Sequence, residues 1–350
     1  MRVLIALQRY FPHGGAQRDA LALGEALVRR GHEVEVLCTR WDGPPAPAGM
    51  TARVVPVQVR SNHARAAEFS RAVSRVSGDF DCCVGFSRCA GLDVYFCSDD
   101  ALAVRLQGRW RSVLGRYRTL LSLERAALGA RCVLFLTEPQ RDQYLRHYAP
   151  ESHRILPPLL DPAAASAGAG SAPEPGDRRG VVAIVTDVRN KGLDRTVEIY
   201  SRLDAALHRR FPLTVVAAKC PRSLLRKMRR LGAECLPVQR SLRALYLGAA
   251  VLLHPARREA GGKVLLEAAA CGAPVLASAV CGYAPLLEAA GAAKILPEPF
   301  DAGSAADALT ALLVDEDQRR DMSQAGRRWG GAQQSGAHLE VAIDVVEQAA

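Results

Sequence analysis

Short, nearly unbroken apolar runs alternate along this chain with longer stretches in which apolar residues recur every three or four positions. Runs of that kind fit strands covered on both faces, and the intervening stretches fit helices laid over them. The pattern therefore predicts βα units on a parallel sheet. Residues 2–7 read as the first strand and Arg9–Gly15 as a turn. A helix is predicted from Ala16 to Arg30, stopped by Gly31, with Ala20, Leu23, Gly24 and Leu27 at the spacing of one inward face. Glu33–Cys38, Cys82–Phe86 and Cys132–Leu136 read as later strands of the same series.

Near Asp161 the periodicity stops. The stretch 161–178, rich in Ala, Gly, Ser and Pro, reads as a flexible linker. A second series then begins at Gly180–Thr186 and continues through Leu213–Ala218, Ala250–Leu253 and Pro274–Ala277. The expected fold is α/β, with two Rossmann-like, doubly wound domains over 1–160 and 179–332 facing across a cleft. The tail 333–350 is expected to be a helix returning to the first domain. Ligands of such sheets bind beyond the carboxyl ends of the strands.

Composition sharpens this picture in two places. The 350 residues carry a formal net charge of +10, nearly all of the excess being arginine, which predicts an acidic partner such as nucleotide phosphates or an anionic surface. The ten cysteines include no C-x-x-C pair, and most, such as Cys82, Cys83, Cys97, Cys132 and Cys271, sit in apolar runs. They read as small buried hydrophobes in a reducing compartment rather than as a disulfide or zinc framework. No signal peptide is expected from the polar residues that follow Leu7, and no run approaches the roughly 20 apolar residues of a membrane span.

The strongest chemical signal is Arg258–Glu267, where two glutamates stand eight residues apart across Gly261-Gly262 at the start of a helix. Glycines allow close approach to a ligand, and a helix start presents N–H groups and a positive dipole end to a diphosphate. Glu259 lies before the helix and Glu267 is expected about two turns into it, so one carboxylate can accept from sugar hydroxyls and the other reach a ribose. A second signal is Thr186–Gly192, just past a strand end, where Arg189 and Lys191 could neutralise a departing diphosphate. A third is the first strand–helix turn, with Gly14, Gly15 and Asp19. Asp79-Phe80-Asp81 imitates a metal-binding D-x-D but runs straight into an apolar strand and reads as a turn.

Taken together, these pieces resemble the retaining GT-B glycosyltransferases of family 4, and within it the branch that glucosylates the first heptose of the lipopolysaccharide inner core. The resemblance runs in order through nearly the whole chain, including Asn62-His63-Ala64-Arg65, Leu252–Ala256, Cys281-Gly282-Tyr283 and Glu298-Pro299-Phe300. It implies UDP-glucose as donor substrate, no cofactor and no metal. Catalysis would then rest on Asp19, Lys191 and Glu259. The donor would be held by Gly14, Gly15, Arg189, Lys191, Glu259, Glu267 and the 261–265 backbone (Gly261, Gly262, Lys263, Val264, Leu265). The acceptor would meet Asp19, Asn62, His63, Arg65 and Asp99. One departure stands out: the family carries arginine immediately before the loop lysine, and here that place is Asn190. Arg189 is the expected substitute.

The stretch 104–125 predicts a basic amphipathic helix, with Arg109, Arg111, Arg116 and Arg118 interleaved with Trp110 and Tyr117. Such a helix suits an anionic membrane surface, and no nucleic-acid module accompanies it. The expected partners are a nucleotide sugar, a lipopolysaccharide inner-core acceptor and the cytoplasmic face of a bacterial inner membrane. A nucleotide-sugar 2-epimerase, a transferase with another donor or acceptor, and a basic binding protein are the rival readings. A dinucleotide dehydrogenase lacks its G-x-G-x-x-G turn.

Overall fold

Two all-parallel sheets organise the chain in the computed structural model, which describes residues 1–12, 14–160, 178–239, 241–333 and 336–350. The chain divides into one unit of Met1–Pro157 with Ala337–Ala350 and a second of Pro158–Gly336.

The first unit begins β1 (Arg2–Ala6), α1 (Gly15–Arg29), β2 (Glu33–Cys38), β3 (Met50–Val54) and α2 (Asn62–Val76). It continues with β4 (Cys82–Gly85), β5 (Val94–Cys97), α3 (Leu102–Leu106), α4 (Gly115–Leu128), β6 (Cys132–Phe135), α5 (Glu138–Leu145) and β7 (His153–Ile155). Its strands lie in the order β3-β2-β1-β4-β5-β6-β7, with Ile5 in register with Val36 on one side and Val84 on the other. The order reverses between β1 and β4, the point at which such sheets open a binding crevice.

The second unit runs β8 (Gly180–Val185), α6 (Leu193–Ser201), α7 (Ala205–Arg210), β9 (Leu213–Ala217), α8 (Arg222–Arg230), β10 (Glu234–Leu236), α9 (Arg243–Gly248) and β11 (Ala249–His254). Then follow α10 (Lys263–Ala270), β12 (Val275–Ser278), α11 (Ala284–Ala289), β13 (Ala293–Leu296), α12 (Ala302–Val314) and α13 (Glu316–Ala332). The order β10-β9-β8-β11-β12-β13 places its reversal between β8 and β11. The last helix, α14 (Ala337–Ala349), belongs to the first unit, where Glu340 and Glu347 pair with Arg30 and Glu347 also meets His32 at 2.9 Å.

The central strands explain why their runs are so apolar. All six residues of β11 and the last five of β8 are buried, and Val181, Ala183, Val185, Ala250, Val251 and Leu253 share a core with Leu193, Val197, Tyr200, Leu309 and Leu312. Each Val, Leu or Ile side chain among them contributes on the order of 1.5–3 kcal/mol by leaving water. In the second unit, α10 lies against α13 at Gly326, where a Cβ would meet the Ala269 carbonyl oxygen at 2.4 Å. Only glycine permits that approach, and it fixes the helix that carries Glu267.

Three readings of the sequence need correction. The basic stretch 104–125 is not one helix: α3 ends at Leu106, a single turn of 3₁₀ helix covers Trp110–Val113, and α4 starts at Gly115. Gly108, at φ +67, breaks the run because a helix cannot pass through that conformation. Glu267 stands one turn into α10, not two, since Gly262 at φ +102 delays the helix start to Lys263. Finally, the predicted linker lies outside the described residues except for Arg178, and Arg178 is not linker. It is buried and donates to the carbonyls of Cys271 and Gly272, closing the carboxyl end of α10.

Candidate active site

The reversal in the second sheet puts two loops side by side, residues 186–192 after β8 and 255–262 after β11. Local hydrogen bonds shape the first. The Asp187 carboxylate accepts from the backbone N–H of Arg189 at 3.0 Å and of Asn190 at 2.8 Å, and from the Asn190 side chain at 3.1 Å. An Asp at that position folds the chain back on itself, which frees the next residue to turn inward. The two loops are then tied together. Arg257 N and Arg258 N both donate to the Asn190 carbonyl, and the Arg257 guanidinium grips Asp194 with two bonds of 2.6 and 2.7 Å.

Between these loops sit three polar side chains. The Lys191 ammonium pairs with the Glu259 carboxylate, and His254 Nε2 lies 3.3 Å from the same Glu259 oxygen. His254 is the last residue of β11 and is buried, while the Glu259 side chain is 14% exposed. Burial alone would raise the Glu259 carboxyl. The hydrogen bond from His254 and the positive charge of Lys191 outweigh it and hold the group at about 2. Glu259 is therefore a carboxylate at any physiological pH, able only to accept hydrogen bonds.

Backbone contacts hold the acidic loop as firmly. Gly282 N donates to Glu259 O at 3.1 Å and Tyr283 N to Gly261 O at 2.9 Å, so the loop leans on the residues after β12. No side chain caps the first turn of α10. The N–H of Leu265 returns to Gly262 O at 2.9 Å and its side chain is fully buried, so Leu265 shapes this turn from behind while Lys263 and Val264 are half-buried. Glu267 is buried on α10 and accepts from the Tyr246 hydroxyl of α9 at 3.2 Å. Arg189 is exposed, with its carbonyl facing Arg257.

The other expected residues fall in the first unit. Gly14 caps α1, and a Cβ there would collide with Gln17 at 1.7 Å, whereas Gly15 faces open space. Asp19 is the fifth residue of α1 and is buried, so it is no cap. Asn62 and Arg65 are exposed and bonded to each other at the start of α2, where Ser61 caps the helix and meets His63 at 3.5 Å. Asp99, past the end of β5, is exposed and lies 3.8 Å from Arg88. Arg109, Trp110, Arg111, Arg116 and Arg118 are all exposed, and Tyr117 stacks under Arg116 at 4.4 Å.

Asp187, His254 and Tyr246 are the partners that sequence reasoning missed. His254 carried a usable signal: a lone polar residue closing an otherwise apolar strand sits where such sheets bind ligands.

Two doubly wound parallel units, with a basic and an acidic loop adjoining at the switch point of the second, are those of a GT-B glycosyltransferase. The pattern described as Glycosyltransferase Family 4 matches residues 13–164, and that described as Glycosyl transferases group 1 matches residues 171–329. The chain is 31% identical to the lipopolysaccharide glucosyltransferase WaaG of Escherichia coli (strain K12), over 99% of its own length and 98% of that protein's. It belongs to this family of glycosyltransferases. The crystal structure of WaaG, a glycosyltransferase involved in lipopolysaccharide biosynthesis, superposes with a TM-score of 0.90 at 30% identity, covering 99% of each chain. Anabaena Alr3699/HepE, solved in complex with UDP and glucose, shares the fold alone, with a TM-score of 0.72 at 14% identity over the full length of both chains.

Proposed function

We propose that this chain is a retaining, metal-independent glucosyltransferase that moves glucose from UDP-glucose to the first heptose of the lipopolysaccharide inner core. One observation carries most of the weight: Lys191, His254 and Glu259 converge at the switch point of the second sheet. The whole-length likeness to a lipopolysaccharide glucosyltransferase supports the substrate class.

In this reading the ionised Glu259 accepts from the hydroxyls of the donor sugar, and Glu267 takes the ribose hydroxyls with Tyr246 orienting it. Lys191 exchanges its carboxylate partner for the incoming diphosphate. As the bond from the anomeric carbon to the phosphate oxygen breaks, negative charge grows on that oxygen, and a fixed ammonium stabilises it more than it stabilises the bound donor. The acceptor hydroxyl attacks from the same face and its proton passes to the departing phosphate oxygen. No strong protein base is needed, and the protein's work is positioning and charge stabilisation. Asp19 serves the acceptor side.

The same proposal places the enzyme on the cytoplasmic face of the inner membrane. Among the described residues no helix is long and apolar enough to cross a membrane. Arg109, Arg111, Arg116 and Arg118, with Trp110 at 71% exposure, would instead hold an anionic leaflet at about 1 kcal/mol per arginine. Replacing these four arginines with glutamine should abolish salt-sensitive binding to acidic vesicles and leave UDP binding intact. Binding equal to wild type would remove this surface from the account.

The function itself is tested by a donor screen against a heptose-terminated core acceptor, read by mass spectrometry. A hexose increment from UDP-glucose alone supports the proposal. Preference for another nucleotide sugar overturns the donor, and release of free epimerised sugar overturns the reaction.

A further inference from the structure

A cavity of about 540 Å³ opens in the first unit between α3, residues 107–113, α4 and the end of α5. Its volume lies within the range of small-ligand sites. One face of α4 supplies Arg118, Ser122 and Arg125 at i, i+4 and i+7, and His147 closes the opposite side. No aspartate or glutamate lines it.

The acidic residue of α4, Glu124, is already committed. Glu124 is fully buried and accepts from Leu102 N at 2.8 Å, Ala103 N at 3.0 Å and the Tyr148 hydroxyl at 2.9 Å, with Arg88 at 3.1 Å. It therefore cannot neutralise Arg118 and Arg125. Its bonds also pin α3 and the segment after α5 onto α4, so the cavity walls are organised before any ligand arrives. Residues next to the lining in sequence include exposed apolar side chains, Trp110 and Val113 at 71%, Leu114 at 38% and Leu145 at 39%, interleaved with the exposed Arg109 and Arg111.

We propose that this cavity is a subsite for a phosphate-bearing part of the saccharide acceptor, whose lipid end lies along the Trp110–Leu114 rim. The inference rests on the glycosyltransferase reading and adds to it a specificity element outside the donor site, with Arg118 turned to the cavity and Arg109, Arg111 and Arg116 left to the leaflet. Arginine forks bind phosphate oxygens in pairs, which suits a monoester on a sugar better than a neutral hydroxyl. Leaflet phosphate would offer the same chemistry, so the test separates the two sources.

Calorimetric titration of the full chain with a deacylated, heptose-terminated core saccharide, before and after phosphatase treatment, reads the site directly. Removing the phosphate should weaken binding by about tenfold or more. The double variant Arg118→Gln/Arg125→Gln should weaken binding of the untreated saccharide equally and no longer distinguish the two forms. Arg118→Lys/Arg125→Lys should recover part of the affinity, which separates a local loss from a folding defect. Equal binding of both saccharides, or wild-type affinity in the double variant, overturns the proposal. Loss of acidic-vesicle binding in the double variant with unchanged saccharide affinity assigns the arginines to lipid and also overturns it. The two readings fail separately. A chain that transfers no sugar yet binds the phosphorylated saccharide through Arg118 and Arg125 keeps the subsite and loses the reaction. Transfer with an unaltered acceptor KM in the double variant does the reverse.

Discussion

Replacing Gly192 with alanine should damage the enzyme by forcing its two site loops apart. Its φ of +66 is a left-handed conformation that costs a residue with a Cβ about 1–2 kcal/mol. The added Cβ would also stand 2.3 Å from the Pro255 carbonyl oxygen and 3.2 Å from its carbon. That neighbour is backbone, and it leads directly into Arg257 and Arg258, whose N–H groups hold the Asn190 carbonyl. The clash therefore cannot be relieved without moving one of the two candidate-site loops against the other. Overpacking of this kind adds roughly 1–3 kcal/mol. The combined loss of about 2–5 kcal/mol should lower the melting temperature by roughly 4–20 °C for a unit of this size. Lys191 is the adjacent residue, and displacing a catalytic group by about 1 Å can cost on the order of 100-fold in rate. Scanning calorimetry and steady-state transfer assays check the two effects together. Gly248→Ala, where a Cβ meets nothing within 4 Å, is the control and should change little. A Gly192→Ala protein with wild-type melting and wild-type kcat would refute the claim that the loop contact positions Lys191.

Lys191→Ala should lower kcat by about 10²–10³ while weakening UDP-glucose binding far less, as single-turnover and binding measurements would separate. Glu267→Ala should do the opposite, costing roughly 1.5–3 kcal/mol of donor affinity by calorimetry, with Tyr246→Phe in the same direction and smaller. Asp19→Ala should raise the acceptor KM more than the donor KM. The Glu259 carboxyl is held at about 2, below its unfolded value of roughly 4.3, so its contribution to stability is complete above the unfolded value. That contribution should disappear as pH falls from about 4 towards 2, and Lys191→Met should shift the loss to higher pH, as acid unfolding of the two proteins would show.

Most interior strands were legible because burial on both faces forces apolar runs such as those of β1, β8 and β11, but the four buried residues of β5 went unread. Edge strands escaped for the opposite reason. Met50–Val54 buries only its first residue, and His153–Ile155 and Glu234–Leu236 bury none, so nothing in their composition sets them apart from loops. At the site, the carriers of charge could be named from spacing and resemblance, but their restraints could not. Asp187 and Tyr246 act through contacts made only when the loop folds back or when α9 meets α10, and neither leaves a periodic trace. The broken basic stretch shows the limit of periodicity, since Gly108 adopts a positive φ that no apolar pattern announces.

The most direct measurement is NMR of the new anomeric proton in the oligosaccharide formed when the purified protein is given UDP-glucose and a heptose-terminated core acceptor. An α-linked glucose on the heptose, made from the α-configured donor, is the predicted result. A β-linked product would contradict front-face transfer at the Lys191–Glu259 site, and no glucosylated product would contradict the proposed reaction itself.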